Sequence, residues 1–244
     1  LKDAYFSLIE ALDHAGIHND TKVLINFVSS EELDKKNYKK LLKGSDAILV
    51  PGGFGDRGIE GMILAAKFAR ESKIPYFGIC LGLQIAIIEM ARNLLKLKDA
   101  NSTEFKKNTK NNVISLVTEW KNEDGSIEKR TQKSDKGGTM RLGAQKASLV
   151  HGSLAKKLYK KATIFERHRH RYEVNPKYIT PLEDKGLIVS ARSEMHNLVE
   201  MIELNDHPWF VACQFHPEFT SKPKKGHPLF NDFINTAVKL RGKK

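Results

Sequence analysis

The stretch PYFGICLGLQ, residues 75–84, decides the fold of this chain. Its first half is an apolar run typical of a buried strand, and its second half starts a helical pattern that continues to residue 95. Cys80 stands at the junction, with Gly78 and Gly82 two residues to either side. Small residues are needed at these positions where a chain turns sharply from a strand into a helix. The segment therefore predicts such a turn, with a cysteine at its tip.

Strand and helix patterns alternate on both sides of this turn. Apolar residues recur at helical spacing in four segments, which are residues 4–15, 59–71, 81–95 and 229–240. Short apolar runs predict strands in eight segments, which are residues 22–28, 46–50, 75–79, 113–117, 163–174, 187–191, 198–204 and 209–215. Residues 119–138 are charged and glycine-containing without an apolar period, and this pattern predicts a long loop or lid. The alternation predicts an α/β fold with an open, mostly parallel central sheet and helices on both faces.

Length and composition indicate a globular protein. The chain has 244 residues, of which 40% are hydrophobic, and this fraction excludes a disordered protein. We expect one domain over residues 1–244. Two cysteines exclude a disulfide scaffold, and no apolar stretch approaches the ~20 residues that span a bilayer, so we expect no membrane partner. A first residue other than Met predicts a fragment of a longer protein, and the few cysteines without a signal-peptide pattern predict a cytoplasmic one.

The charge of the chain is strongly basic. Lys and Arg number 41 against 29 Asp and Glu, which gives a formal net charge of +12. Nucleic-acid-binding proteins carry such an excess. The lysines are scattered here over unrelated segments, however, and no aromatic residues are interleaved with them as a platform for bases. We therefore expect solvated basic faces and no nucleic-acid partner.

Cys80 at the tip of the predicted turn is a candidate nucleophile. The N-terminus of the following helix favours a thiolate, and the amide of Leu81 would point to where an oxyanion forms. The alternative is a buried structural cysteine, since free cysteines are often part of a core. Cys213 fits that alternative, because it lies within an apolar strand pattern without flanking glycines.

The segment HPE, residues 216–218, supplies a candidate base for this thiol. Residues i and i+2 of an extended chain point to the same side, so Glu218 can orient the ring of His216. Ligands of open α/β sheets bind at the carboxyl ends of strands, and both Cys80 and His216 follow predicted strands. A single histidine after a strand is more often a surface residue. Its occurrence together with the turn around Cys80 favours a catalytic pair.

The glycine-rich segment PGGFG, residues 51–55, follows the predicted strand 46–50. Glycine lets the backbone approach a ligand closely, and the amide of Gly53 is a candidate second donor to an oxyanion. The alternative is a phosphate-binding loop, but the chain contains neither a GxxxxGK[ST] nor a GxGxxG motif.

These three segments together resemble the triad-type (class I) glutamine amidotransferases, through PGGFG, GICLGLQ and FHPE. Four further segments are similar to the glutaminase domains of CTP synthases, namely GGFGDRGIEG (52–61), NSTEF (101–105), GGTMRLG (137–143) and ERHRHRYE (166–173). The resemblance spans nearly the whole chain. It implies a flavodoxin-like α/β fold with a nucleophile elbow at Cys80.

The resemblance also implies the chemistry of the site. Cys80 would attack the side-chain amide of L-glutamine and form a cysteinyl thioester, and His216 and Glu218 would complete the triad. Gly53 and Leu81 would bind the oxyanion through their amides. The implied substrate-binding residues are Gly53, Leu81, Gln84, Glu104 and Arg171. A carboxylate suits the α-ammonium group of glutamine, and the Arg fork suits its α-carboxylate.

The resemblance implies partners as well. CTP synthases have an amidoligase domain that binds ATP, UTP and magnesium, and this chain contains no phosphate loop for them. We therefore expect no cofactor and no metal in this domain. It would supply ammonia to an amidoligase domain of the same polypeptide for the conversion of UTP to CTP, in a homo-oligomeric enzyme. Residues 130–141 resemble a loop that responds to GTP, a candidate allosteric effector.

Other interpretations remain open at this stage. The chain could be a different triad-type amidotransferase or a γ-glutamyl hydrolase, or a weakly active binding or assembly module when isolated. The run RHRHR, residues 167–171, has two alternatives of its own, a polyanion-binding patch or a metal pair of His168 and His170. An extended chain divides these five residues between two faces, and no nearby ligand set completes a metal shell, so neither alternative is favoured.

Overall fold

A seven-stranded sheet flanked by helices forms the centre of the fold. The computed structural model describes residues 2–116, 119–121, 127–129 and 140–242. The strands, in chain order, are β1 Ile48–Val50, β2 Tyr76–Ile79, β3 Asn101–Ser102, β4 Asn112–Leu116, β5 Glu119–Lys121, β6 Ile127–Lys129, β7 Arg141–Leu149, β8 Thr163–His170, β9 Tyr172–Val174, β10 Leu187–Ser193, β11 Val199–Leu204 and β12 Phe210–Cys213. The helices are α1 Phe6–His18, α2 Tyr38–Leu42, α3 Ile59–Ser72, α4 Leu81–Asn93, α5 Leu154–Tyr159, α6 Ile179–Glu183 and α7 Pro228–Arg241.

The order of strands in the large sheet is β1-β2-β12-β11-β10-β7-β8. Only the pairs β1–β2 and β2–β12 are parallel, and the other neighbouring pairs are antiparallel. The α/β prediction is confirmed, but the sheet is mixed and not mostly parallel. Short connections join β10, β11 and β12, and short connections allow only antiparallel pairing, whereas a parallel pair needs a crossover such as α3 between β1 and β2. A second small sheet has the order β3-β4-β9, and β5 pairs with β6.

The two faces of the large sheet carry separate cores. Phe210 and Ala212 of β12 pack with residues of α3 and α4. Val211 and Cys213 pack on the opposite face with residues of α1 and α7. Cys213 is fully buried in this second core, which confirms its interpretation as a core cysteine. Alternate side chains of β12 thus pack on opposite faces of the sheet.

Residues 22–28 do not form the predicted buried strand. Residues 21–29 have no regular secondary structure, and Leu24 is 79% exposed. Val23 and Ile25 pack only partly against the core. A short apolar run does not distinguish a buried strand from an extended segment that covers the core with every second side chain. Gly16, expected to end the first helix, lies inside α1.

The middle of the chain contains more strand than predicted. Residues 119–138 were expected to form a loop, yet β5 and β6 within them pair antiparallel, and the rest of that segment lies outside the described residues. Strand β7 has no apolar run in its sequence RLGAQKASL, so periodicity does not reveal it. The expected strand 163–174 is divided into β8 and β9, which belong to different sheets. Among the described residues, no helix combines the length and apolarity needed to cross a membrane.

Candidate active site

Cys80 occupies a sharp turn between β2 and α4. Its backbone angles are φ 52° and ψ −99°, a combination that side-chain-bearing residues rarely adopt. A Cβ atom on Gly82 would stand 2.2 Å from the carbonyl oxygen of Val50, and one on Gly78 would stand 2.6 Å from the carbonyl oxygen of Gly82. Both flanking glycines are therefore required by close packing, as the sequence pattern predicts.

Hydrogen bonds hold this elbow from both sides. The amide of Cys80 donates to the carbonyl of Cys213 at the end of β12, with an N–O distance of 2.7 Å. Its own carbonyl accepts from the amide of Leu83 at 3.1 Å. Leu81 is the first residue of α4, and the first amides of a helix have no acceptor within the helix. The position of the sulfur is thus set by a strand and a helix together.

His216 and Glu218 form the expected pair. The Nδ1 atom of His216 lies 2.8 Å from Oε1 of Glu218, and both side chains are largely buried. The reason given by the sequence is wrong, because Glu218 lies in a 3-10 helix, Pro217–Thr220, and not in extended chain. The tight turn that begins at Pro217 brings the carboxylate back to the ring instead.

Cys80 and His216 converge on Gly52. A Cβ atom at position 52 would stand 2.7 Å from Cε1 of His216 and 3.5 Å from Cβ of Cys80. Burial lowers the pKa of His216, but the neighbouring side chains of Cys80 and Glu218 raise it more, to about 10. The Nε2 atom of His216 is buried and has no hydrogen-bond partner in the described part of the chain. The ring is therefore available to a group that enters beside the sulfur.

Gly53 lies against the first residue of α4. A Cβ atom on Gly53 would stand 3.1 Å from Cδ2 of Leu81. The segment after β1 and the N-terminus of α4 therefore meet at the side of Cys80, which is the arrangement that two oxyanion donors need.

The residues expected to hold the substrate contact the glycine-rich segment and β9. Oε1 of Glu104 accepts a hydrogen bond from the amide of Gly55 at 3.2 Å. Burial raises the pKa of Glu104, while the Gly55 amide and the positive charge of Arg171 partly oppose that rise. The side-chain amide of Gln84 donates to the carbonyl oxygen of Tyr172 at 3.3 Å. The fold thus gathers Gln84, Glu104 and Arg171 around one position.

Several buried polar atoms of these residues have no partner among the described atoms. They are Oε1 of Gln84, Nε of Arg171, Oε1 of Gln214, Nε2 of His216 and Oε2 of Glu218. Buried polar groups are nearly always hydrogen-bonded in proteins, so these atoms are free to bind a polar group that enters the site. Donors and acceptors are both present in the set, as a zwitterionic amide substrate would require.

The run of residues 167–171 alternates between two faces, as predicted. Arg167 and Arg169 are exposed on β8, and His168 and His170 are buried beneath them. Nδ1 of His168 lies 2.9 Å from Nε2 of His170, and burial lowers the pKa of His168 to about 3. Within the part of the chain that the structure describes, no group of three or more His, Cys, Asp or Glu side chains could hold a metal ion.

Sequence reasoning missed a buried polar network next to the site. Arg141, expected in a lid, begins β7 and is buried. Its Nη1 atom lies 3.0 Å from Oε1 of Glu173, and its Nη2 atom lies 2.6 Å from Oε1 of Glu200. Gln214, which follows β12, was missed as well, and its Nε2 lies 3.7 Å from the sulfur of Cys80. Its place two residues before His216 was the one available signal, since alternate residues share a side.

Comparisons with known proteins show the family of this chain. The sequence model described as glutamine amidotransferase class-I matches residues 1–236. The chain is 39% identical to the glutaminase domain of Trypanosoma brucei CTPS, solved with bound acivicin, over 97% of this chain and 89% of that chain, with a TM-score of 0.87. A candidate GMP synthase component from Thermoplasma acidophilum is 20% identical over the same shares of the two chains, with a TM-score of 0.57, and this likeness concerns the fold alone. The chain belongs to the class I glutamine amidotransferase family.

Proposed function

We propose that this chain hydrolyses L-glutamine to glutamate and ammonia, with Cys80 as the nucleophile and His216 and Glu218 as its partners. The observation that carries the proposal is the convergence of the Cys80 and His216 side chains on Gly52 at a strained elbow. The position in the fold and the paired carboxylate are those that an activated thiol requires. The unsatisfied atoms of Gln84 and Arg171 support a polar substrate beside that thiol.

The reaction follows from these groups in two halves. The thiolate of Cys80 adds to the side-chain carbonyl carbon of glutamine, and the amides of Gly53 and Leu81 bind the resulting oxyanion. Protonated His216 gives its proton to the nitrogen as the C–N bond breaks, which releases ammonia and leaves a thioester. Water then adds to the thioester carbon while His216 takes its proton, and the C–S bond breaks to release glutamate. Donors at an oxyanion each contribute about 3 kcal/mol of transition-state stabilisation.

The substrate groups away from the reacting bond have their own partners in this proposal. Glu104 binds the α-ammonium group, and the guanidinium of Arg171 binds the α-carboxylate. The positive charge of Arg171 acts on the pKa of Glu104, which supports a site where the two side chains bind one amino acid. Gln84 contributes the free oxygen of its side chain.

A pair of matched variants tests the assignment of the nucleophile. Cys80→Ala should abolish ammonia release from glutamine, while the free energy of unfolding changes little. Cys213→Ala removes the other thiol, which lies in the core, and should keep turnover within about threefold of wild type. Equal turnover in wild type and Cys80→Ala would refute the proposal. Alkylation of Cys80 by a glutamine-analogue electrophile, with protection by glutamine, distinguishes an assembled site from an inactive binding module.

The destination of the ammonia is a finer part of the proposal. We infer that it passes to the amidoligase domain of a CTP synthase, because the T. brucei relative is a CTPS glutaminase domain and its segments are matched over 97% of this chain. ATP, UTP and magnesium would bind that other domain, and GTP is the proposed effector. The test is CTP formation from UTP by a protein that contains both domains. Glutamine should support it in wild type only, and free ammonia should also support it in Cys80→Ala.

A γ-glutamyl hydrolase is the alternative within the same chemistry. It would cleave γ-glutamyl peptides, whose leaving group is much larger than ammonia. A comparison of kcat/KM for glutamine and for a γ-glutamyl dipeptide decides between them. Preference for the peptide would favour the hydrolase.

A further inference from the structure

We infer that Gln214 is a further catalytic residue of this site, whose side-chain amide donates a hydrogen bond to the sulfur of Cys80 and stabilises the thiolate. The inference rests on the proposed role of Cys80 as nucleophile. It goes beyond the triad, because the side-chain amide of Gln214 donates a hydrogen bond to the sulfur while it stays neutral and keeps its protons.

The contact itself is direct and buried. Nε2 of Gln214 lies 3.7 Å from Sγ of Cys80, within the range for hydrogen bonds to sulfur, and Gln214 is fully buried. Its backbone amide donates to the carbonyl of Glu200 at 2.9 Å, which fixes the start of the side chain. The backbone of Gln214 is therefore held in place, and the sulfur of Cys80 is the hydrogen-bond acceptor for its side-chain NH₂ group.

Position in the chain explains why both partners of the sulfur come from one segment. The side chains of Gln214 and His216, two residues apart in the segment after β12, both approach Cys80. The hydrogen bond from the Cys80 amide to the carbonyl of Cys213, the residue before Gln214, sets the register between the elbow and this segment.

The two donors differ in what they do during the reaction. His216 gives its proton to the departing ammonia and later takes a proton from water. The amide of Gln214 gives up no proton, so it stays beside the sulfur throughout. Hydrogen bonds to an ionised group are roughly twice as strong as neutral ones, so this donor favours the thiolate both before attack and when the thioester breaks down.

Charged and titratable groups around the sulfur bear on any pH measurement. His216 faces it directly, Glu218 lies behind that ring, and Cys213 is the neighbouring thiol in the core. Behind Gln214 lies the buried network, whose titratable and charged members are Arg141, His168, His170, Glu173 and Glu200. All of these remain in place when Gln214 alone is changed, so a difference between variant and wild type reports the amide.

The experiment is the rate of Cys80 carboxamidomethylation by iodoacetamide between pH 5 and pH 10, followed by mass spectrometry of the Cys80 peptide in the intact chain. In Gln214→Met, which keeps the length of the side chain but has no donor, the midpoint of the rate profile should rise by about one pH unit. Gln84→Met is the matched control in the same pocket, where we expect the wild-type midpoint and a raised KM for glutamine. In Gln214→Met we expect kcat to fall about tenfold with little change in KM.

A second variant keeps the test valid if Gln214→Met does not fold. Gln214→Leu has no polar atom and therefore no donor in any protonation state, so the midpoint should rise about as far as in Gln214→Met. A wild-type midpoint in either folded variant would overturn the inference. The readout does not depend on turnover: if wild type releases no ammonia from glutamine, the proposed function fails, whereas an unmoved midpoint in an active protein overturns only the role of Gln214.

Discussion

The side chains of this site form two groups, those that approach the sulfur and those that are proposed to bind the substrate. His216 and Gln214 approach Cys80, whereas Glu104 and Arg171 are proposed to bind the charged ends of the substrate. In the proposed reaction the first group sets the rate of bond breaking, and the second sets which molecule is bound. Changes in the two groups should therefore appear in different kinetic constants.

Glu218→Gln tests the coupling within the triad. The carboxylate of Glu218 helps to raise the pKa of His216 to about 10, so its removal lowers that pKa. His216 must be protonated when ammonia leaves, and the basic limb of the rate profile should therefore move to lower pH. We expect kcat to fall about 10²-fold with KM little changed. The measurement is kcat and KM for glutamine from pH 6 to pH 10, and an unmoved basic limb would contradict the coupling.

The side chains proposed to react are easier to predict from the sequence than their partners. Cys80, His216 and Glu218 were found because each belongs to a short pattern that restricts the backbone around it. Gln214 belongs to no such pattern by itself, and only the register between β2 and β12 shows that its amide reaches the sulfur. A contact between residues 134 positions apart depends on strand pairing, which sequence patterns do not fix.

At the scale of elements, the elbow depends on glycines that let β1, β2 and α4 approach closely. We predict that Gly82→Ala destabilises the protein by about 2 kcal/mol, because the added Cβ would lie 2.2 Å from the backbone oxygen of Val50. Backbone atoms cannot move aside as a flexible side chain does, so α4 and the attached Cys80 must shift. The activity should fall with the stability.

Gly242→Ala is the matched control for this change. A Cβ there would stand 3.7 Å from the nearest atom, the carbonyl oxygen of Val238, which is an ordinary contact, and the φ of Gly242 is −67°. Urea unfolding should therefore show a change within about 0.5 kcal/mol for Gly242→Ala. Similar losses in both variants would mean that close packing at the elbow is not the cause.

Elements with regular patterns were predicted well, and those defined by their partners were not. The periodic segments gave α3, α4 and α7 within a few residues. Strand β7 was missed because the charged Arg141 is buried in it while the apolar Leu142 is exposed, so its sequence shows no apolar alternation. The antiparallel half of the sheet could not be deduced, because hairpins and crossovers are distinguished by the segments between the strands and not by the strands themselves.

The whole molecule combines a basic surface with a buried core of titratable groups. The net charge of +12 is carried by exposed lysines and arginines, among them Arg167 and Arg169. Beneath those two arginines lie His168 and His170, packed near Arg141. Burial, with the charge of Arg141 as the next contribution, lowers the pKa of both histidines. A fold that encloses neutral histidines in this way becomes sensitive to acid as a whole.

His168→Gln measures that sensitivity. The pKa of His168 is about 3 in the folded protein and about 6.5 in an unfolded chain, so the folded state binds fewer protons between these values. Stability contributed by the neutral ring is complete above pH 6.5 and is lost as the pH falls toward 3. Between pH 6.5 and pH 5 the wild type should therefore lose about 2 kcal/mol more of its unfolding free energy than His168→Gln does.

The comparison between the two proteins isolates this histidine from opposing groups. Burial raises the pKa of Glu173 and of Glu200, so these carboxyls take up protons in the folded state and reduce the acid loss in both proteins alike. His151→Gln, at an exposed position, should retain the wild-type pH dependence. Urea unfolding at pH 5, 6 and 7 gives the three slopes. If His168→Gln lost stability with acid as steeply as the wild type does, the acid sensitivity would come from other groups. The ring of His168 would then be more solvated than its buried position in β8 allows.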